Sequence, residues 1–270
     1  MAEEASALTR AVAGQLAAIL DGPPDRRRLE AALRHLAKWR AQVLDNTLAA
    51  RSGDVVLGGP FKGMRYSVRA AEGARAARLI GAYEASLAPV FEAIIARRVP
   101  QIVDIGCAEG YYAVGLALRL PNSTIHARDT DPAARALVAQ LAADNGVSER
   151  VIVGGAMDHA ALSLCTDAET VVICDIEGAE DALLDPAAAP ALSAADILVE
   201  VHEGVSSGMA ERIAARFAPT HRITRIGRKL DDSALPDWAE GLSDLDRLLL
   251  LWEWRAAPTP WLWMERKGRT

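Results

Sequence analysis

The fold of this chain is indicated by one stretch of sequence, VDIGCAEG at residues 103–110. An apolar run at 101–105 precedes its glycines, and a helical pattern at 111–119 follows them. A buried strand, a glycine-rich turn and a helix, in that order, are typical of the first unit of an open α/β sheet. Because ligands bind at the carboxyl ends of strands in such sheets, the stretch also predicts a binding site.

Short apolar strands alternate with helices on the carboxyl-terminal side of this stretch. Strands are predicted at 101–105, 124–128, 151–153, 170–174, 196–201, 221–226 and 261–265. Helices are predicted at 111–119, 132–145, 179–184, 186–193 and 241–253. Apolar strands that alternate with helices predict a parallel sheet covered on both faces. The fold class is therefore predicted as α/β, with a Rossmann-like, seven-stranded, mostly parallel sheet that an antiparallel strand closes.

The amino-terminal part follows a different pattern. Apolar residues recur at helical spacing in 5–20 and 25–50, and Gly22-Pro23-Pro24 separates these two helices. Residues 54–69 predict a hairpin, and a helix is predicted at 75–97. We expect 1–70 to be a helical extension that serves as a lid or in dimerisation, and 71–270 to be the cofactor-binding domain.

Composition narrows the choice of partners. The 270 residues carry a net charge of −6, and lysine and arginine are scattered, which disfavours nucleic-acid binding. The amino terminus has no apolar signal region, and no apolar stretch reaches membrane-spanning length. The three cysteines form no zinc motif. We expect a cytoplasmic protein with a small-molecule partner and no membrane partner, which forms a homodimer through its amino-terminal helices.

The glycine stretch discriminates between two kinds of cofactor. A dinucleotide site needs G-x-G-x-x-G, so that a pyrophosphate can lie on the helix amino terminus. Here Ala108 lies between Gly106 and Gly110, and Asp104 and Glu109 add negative charge. A sulfonium cofactor with a free amino group tolerates carboxylates better, so S-adenosyl-L-methionine (SAM) is favoured. A purely structural turn is the alternative.

The next two strand ends supply further candidate contacts with the cofactor. Asp129 follows the second strand, about 20 residues after the glycines, where an acid can accept both ribose hydroxyls. Asp131 and Pro132 instead suit the start of the next helix. After the third strand, small residues at 154–156 let an adenine ring approach the backbone. Met157 could stack on that ring, and Asp158 could accept from its amino group.

Two later segments carry a resemblance to a known family. These segments are DIEGAE at 175–180 and EVHE at 200–203. Together with the glycine motif before them, they resemble the FkbM-type branch of class I SAM-dependent methyltransferases. The resemblance covers residues of about 80–235. Arg128-Asp129-Thr130 and the 1–70 extension depart from the pattern of the branch. The resemblance implies methyl transfer in biosynthesis, commonly to an oxygen of a small metabolite. The expected cofactor contacts are Glu84, Asp104, Gly106, Ala108, Gly110, Tyr111, Asp129, Thr130, Ala156, Met157, Asp158 and Asp175.

The reacting end is predicted where the fourth and fifth strands end. Asp175 and Glu177 follow one strand, and Glu200, His202 and Glu203 follow the other. His202 could act as a general base, with Asp175 and Glu177 beside it in the catalytic group. Alternatively, Asp175, Glu200 and His202 could hold Mg²⁺ or Mn²⁺. In a third interpretation, the acids cap helices and bind the amino group of the cofactor, and catalysis is mostly proximity.

The function that the sequence favours is O-methylation of a small polar metabolite by a SAM-dependent enzyme. N- or C-methylation of a small molecule stays open. An alternative of another class is a catalytically silent methyltransferase-like subunit that serves as a partner protein. Nucleic-acid methylation is a weaker alternative, because the segments N-P-P-[YF] and D-P-P-Y, which present an exocyclic amine to the methyl group, do not occur in the chain.

Overall fold

A seven-stranded sheet forms the centre of the protein in the computed structural model, which describes residues 6–70, 73, 75–255 and 259–268. The strands are β1 Gln101–Ile105, β2 Thr124–Arg128, β3 Val151–Gly154, β4 Thr170–Cys174, β5 Asp196–Glu200, β6 His221–Ile226 and β7 Trp261–Arg266. Their order is β3-β2-β1-β4-β5-β7-β6. Strands β1 to β5 pair in parallel, and β7 is antiparallel to both β5 and β6. The predicted fold class is confirmed.

Nine α-helices lie within the described residues. They are α1 Ala7–Leu20, α2 Arg26–Ser52, α3 Arg75–Ile80, α4 Ala88–Ala96, α5 Tyr111–Arg119, α6 Pro132–Asp144, α7 Glu180–Leu183, α8 Met209–Phe217 and α9 Asp244–Leu250. Helix α6 begins as predicted, with Pro132 at its first position and Asp131 accepting the Ala133 N–H at 2.8 Å. The segment predicted as a helix at 186–193 instead contains a short 3₁₀ helix, Pro190–Ala194.

The central strands are buried on both faces, as a parallel sheet with helical cover requires. Every residue of β4 and β5 is buried. After β1 the chain turns towards β2 and β3, and after β4 it turns the other way towards β5. The carboxyl ends of β1 and β4 are therefore the topological switch point, where a ligand crevice is expected.

The predicted helix at 75–97 is two helices in the structure. Helix α3 ends at Ile80, and Gly81 follows with φ +85°. A Cβ at Gly81 would lie 2.1 Å from the carbonyl oxygen of Gly58, so the close approach of the two backbones needs glycine there. The apolar periodicity continues through this break, which is why the sequence pattern did not show it.

The predicted hairpin at 54–69 is reduced to one antiparallel bridge, between Val55 and Arg65. The Leu57 N–H bonds the Leu79 carbonyl oxygen at 2.7 Å instead of extending a ladder. Side chains of this segment and of α2 belong to the same apolar cluster as the sheet residues Ile102 and Ile125. The segment therefore packs as part of the main core, and the domain boundary at residue 70 stays a prediction.

The prediction that no apolar stretch reaches membrane-spanning length is wrong for one segment, Arg75–Ala96, which is long and apolar enough when only length and composition are considered. Half of its most apolar window is buried inside the protein. Its side chains Leu79, Leu87 and Ile94 are fully buried in the core. Burial of this kind is the usual setting of an apolar core helix in a folded domain.

Candidate functional site

A cavity of about 620 Å³ opens at the carboxyl ends of β1, β2 and β4. That volume lies in the range of small-molecule and cofactor sites. Ten of the predicted site residues line it: Gly106, Ala108, Tyr111, Asp129, Thr130, Ala156, Met157, Asp158, Asp175 and Glu177. Five others lie outside the lining: Glu84, Asp104, Gly110, Glu200 and His202. The structure thus brings most of the predicted residues together around one space.

The loop between β1 and α5 is shaped by its backbone. Gly106 has φ +80°, and a Cβ on it would lie 1.6 Å from the carbonyl oxygen of Asp175, so the loop is pressed against the end of β4. Ala108 also has a positive φ, of 47°. Gly110, with φ +91°, precedes the first residue of α5 and shapes the loop without lining the cavity. The close approach at Gly106 leaves no room for a side chain, so that position needs glycine.

Asp129 joins the loop to the end of β2. Its Oδ2 accepts the N–H of Ala108 at 3.0 Å, and its Oδ1 accepts the N–H of Asp131 at 2.8 Å. The carboxylate is therefore held in one orientation while it faces the cavity. Each carboxylate oxygen can accept more than one hydrogen bond, so two ligand hydroxyls can still be bound.

Asp104 is not among the residues that line the cavity, so its predicted contact with the cofactor stays a prediction. It is 2% exposed, and its carboxyl group accepts a hydrogen bond from the backbone of Ala113. Burial raises its pKa to about 7, and the nearby charges of Asp129 and Glu109 add to the rise. Asp104 supports the loop from below and is partly protonated near neutrality.

Glu109 is neutralised inside the protein, so it does not present the free negative charge that the sequence pattern suggested. Its carboxylate forms an ion pair with Arg78 at 2.8 Å and accepts the hydroxyl of Tyr66 at 2.6 Å. Arg78 lines the cavity and lies 3.9 Å above the ring centroid of Tyr83. Arg78 is not among the residues predicted from the sequence, where the only signal was an arginine directly before the apolar pair Leu79 and Ile80.

Glu84 is also placed differently from the prediction. Its carboxylate contacts Arg255 and the hydroxyl of Tyr112, and it accepts the Trp261 indole N–H at 3.1 Å. Burial raises the pKa of Glu84 to about 7, although the charge of Arg255 opposes the rise. Glu84 therefore belongs to a buried polar cluster outside the lining of the cavity, and its predicted contact with the cofactor stays a prediction.

At the reacting end, His202 is nine-tenths buried and surrounded by carboxylates. Its Nδ1 lies 2.8 Å from Glu180 Oε1, an oxygen that also accepts the N–H groups of Ile176 and Gly178 at 3.1 Å. An ionised carboxylate only accepts, so Nδ1 carries a proton and donates it. The Glu180 carboxylate therefore fixes both the tautomer and the orientation of the imidazole.

The other ring nitrogen faces three more acids. His202 Nε2 lies 3.3 Å from Glu177 Oε2, and 3.7 Å from both Asp175 Oδ1 and Glu200 Oε2. The predicted member Glu203 is turned away and caps α8, accepting the N–H groups of Gly208 and Ala210 at 2.8 Å. Four carboxylates do meet one imidazole, with Glu180 in place of Glu203.

These carboxylates act on the proton equilibrium of His202. Burial alone would lower the pKa of His202, but the hydrogen bond to Glu180 and the charges of Glu180, Glu200 and Glu177 raise it above its ordinary value. The role of His202 as a general base stays a prediction.

Comparison with known proteins gives no match to a family model and none among curated proteins. Solved structures do match. A candidate O-methyltransferase from Klebsiella pneumoniae is 12% identical, with a TM-score of 0.45, over 94% of this chain and 96% of that chain. The C-terminal domain of precorrin-6Y C5,15-methyltransferase from Rhodobacter capsulatus is 18% identical, with a TM-score of 0.41, over 67% and 87%.

The O-methyltransferase TomG from Streptomyces achromogenes, involved in tomaymycin synthesis and solved with SAM, is 15% identical. Its TM-score is 0.41, over 83% of this chain and 92% of that chain. The matching structures named here are all methyltransferases, and none of them is described as a member of the FkbM branch. The likeness concerns the fold, and identities and TM-scores this low carry no conclusion about activity or substrate.

Proposed function

We propose that the protein is a SAM-dependent methyltransferase that transfers a methyl group to an oxygen of a small polar metabolite. The observation that carries the proposal is the cavity at the switch point, where the Gly106 loop faces Asp129 on one side and Asp175 on the other. A carboxylate suits the ribose hydroxyls of the cofactor at the first position and its cationic amino group at the second.

The same geometry argues against a dinucleotide in this cavity. A pyrophosphate would need the free N–H groups at the start of α5. The N–H of Ala108 already donates to Asp129, whose carboxylate would repel phosphate at this point. Glu109 adds little to this repulsion, because Arg78 compensates its charge.

O-methylation is favoured by the chemistry of the reacting end. Glu177 and Asp175 line the cavity, and His202 lies within 3.7 Å of both. Hydrogen-bond acceptors in this number suit a donor such as a hydroxyl group, or a cation. The FkbM-like segments at 175–180 and 200–203 support the same proposal. Methylation of nitrogen or carbon, and a silent partner subunit, are the alternatives that experiment must exclude.

The first test is calorimetric titration with SAM. We expect one SAM to bind per chain, and NAD⁺ not to bind. Asp129→Asn should weaken SAM binding by about 10- to 100-fold, because a hydrogen bond to a charged group contributes about 1.5–3 kcal/mol. Asp167→Asn removes an exposed carboxylate on another loop and is the matched control. Failure of the wild-type protein to bind SAM would contradict the proposal.

The second test identifies the receiving atom. The protein is incubated with SAM labelled in its methyl group and a panel of small alcohols, phenols, sugars and amines, and the products are analysed by mass spectrometry. Label on oxygen supports the proposal, and label on nitrogen or carbon refutes its finer part. SAM binding without transfer to any member of a broad panel favours the silent partner subunit.

A further inference from the structure

Three side chains from neighbouring strand ends form a compact set of metal-ligand atoms. Asp175, Glu200 and His202 each offer one atom, and these atoms lie within 4.8 Å of one another. His202 Nε2 is 3.7 Å from each of the two carboxylate oxygens. Ligands about 2.1 Å from an octahedral metal ion lie about 3 Å apart at adjacent positions. To bind a common ion, the two pairs that include His202 need to close by about 0.7 Å, and the two carboxylate oxygens by at most about 1.8 Å.

The imidazole is oriented as a metal ligand by a second carboxylate. Glu180 is fully buried, and its Oε1 accepts the proton of His202 Nδ1, so Nε2 carries the lone pair whenever the ring is neutral. Among the described residues Nε2 makes no well-aligned hydrogen bond, although it lies 3.3 Å from Glu177 Oε2 and 3.7 Å from oxygens of Asp175 and Glu200. A carboxylate that holds one ring nitrogen while the other binds an ion is the usual outer-shell arrangement of histidine ligands.

The charge around the set calls for a further cation. Four carboxylates surround His202, from Asp175, Glu177, Glu180 and Glu200. Arg255 forms an ion pair with Glu200 of this group, and it also pairs with Glu84 and Glu253. Like charges at these distances need a cation or protons among them. Glu200 still directs its Oε2 towards His202, because Arg255 and Thr259 contact its Oε1.

We propose that Asp175, Glu200 and His202 form a binding site for one divalent cation, with Mn²⁺ preferred over Mg²⁺. Two carboxylates favour hard cations, and the imidazole shifts the preference towards Mn²⁺. Three protein ligands leave positions for oxygens of the acceptor. The proposal rests on the proposed function: a cation here would orient an acceptor hydroxyl beside the cofactor and lower the pKa of that hydroxyl. Glu180 acts as a positioning residue through His202.

Binding of Mn²⁺ alone tests the site without any turnover. The full-length protein is treated with EDTA, desalted and titrated with Mn²⁺, and the free ion is followed by electron paramagnetic resonance. We expect one Mn²⁺ per chain in the wild type. Asp175→Asn and His202→Gln should each weaken binding by more than about tenfold, and Glu180→Gln by about 10- to 100-fold. Glu211→Gln, on an exposed face of α8, is the matched control and should bind like the wild type.

Folding is checked separately, because a variant that unfolds would also lose Mn²⁺. Far-UV circular dichroism and thermal melts are recorded with and without Mn²⁺, and only variants with a wild-type spectrum are compared. Mn²⁺ should raise the Tm of the wild type and of Glu211→Gln, and leave that of His202→Gln unchanged. Stoichiometric binding that survives both His202→Gln and Asp175→Asn would overturn the proposed site, as would the absence of Mn²⁺ binding by the wild type.

Calorimetry with SAM in EDTA separates this proposal from the proposed function. SAM binding in EDTA, together with no Mn²⁺ binding, overturns the cation site and leaves the methyltransferase proposal standing. Mn²⁺ binding without SAM binding, with or without the ion, overturns the proposed function and leaves the cation site as a separate property. Binding of both, with Mn²⁺ lost in His202→Gln and SAM retained, supports both proposals.

Discussion

The buried carboxyl group of Asp104 should make the stability of the protein depend on pH in a specific way. Its pKa is about 7 in the folded protein, against 3.8 for an unperturbed aspartate, chiefly because of burial. Between these two pH values the native state keeps a proton that the unfolded chain has lost. The unfolded chain thus binds fewer protons, so the free energy of unfolding falls as pH rises through this window.

The size of the effect follows from the difference between the two pKa values. About three pH units, at about 1.4 kcal/mol per unit, amount to about 4 kcal/mol of unfolding free energy. This contribution is fully present below pH 4 and is lost by pH 8. Asp104→Asn keeps the shape and the acceptor for the Ala113 N–H but cannot ionise, so the variant lacks this part of the pH dependence.

Urea denaturation at pH 5 and at pH 8.5 measures the effect. Between these conditions the wild type should lose about 3 kcal/mol more stability than Asp104→Asn, because about two of the three pH units lie in the window. Other titrating groups contribute equally to both proteins and cancel. Asp167→Asn, at an exposed position, should behave like the wild type. Equal losses in the wild type and in Asp104→Asn, within about 0.5 kcal/mol, would show that Asp104 is ionised in the native state and refute the reasoning.

Three further changes test other parts of the structure. Gly106→Ala should weaken SAM binding at least tenfold in calorimetry, because an alanine at this positive φ costs about 1–2 kcal/mol and its Cβ would collide with backbone atoms. Gly155→Ala is the control and should bind SAM normally, because a Cβ there has open space. Arg78→Met should lower the free energy of unfolding by about 3–5 kcal/mol in urea, since the buried Glu109 loses its partner, and a loss below 1 kcal/mol would contradict the buried pair. The predicted homodimer through the amino-terminal helices should dissociate in Leu33→Glu, because Leu33 is an apolar side chain that is 71% exposed on α2. Light scattering measures the mass, and the same mass for the wild type and for Leu33→Glu would contradict this prediction.

Local patterns in the sequence were sufficient to predict the sheet and the position of the site. The strands at 101–105, 124–128 and 170–174 were predicted with the bounds that the structure has, because a parallel strand buried on both faces is a continuous apolar run. The start of α6 was predicted from Asp131 and Pro132, whose roles depend on adjacent backbone groups. The break at Gly81 was missed, because the reason for it is the contact with Gly58, which lies more than twenty residues earlier.

Local spacing was sufficient to predict that Gly106 and Asp129 face one cavity, because each follows a strand end at a spacing that βα units repeat. Which acids remain available to a ligand depends instead on contacts between distant segments. Arg78 on α3 neutralises Glu109 in the loop before α5, and Arg255 contacts Glu84 across 171 positions of the chain. The physical reason is range: hydrophobic periodicity is a property of neighbouring residues, whereas the pairing and burial of a charge depend on groups that folding brings together from distant parts of the chain.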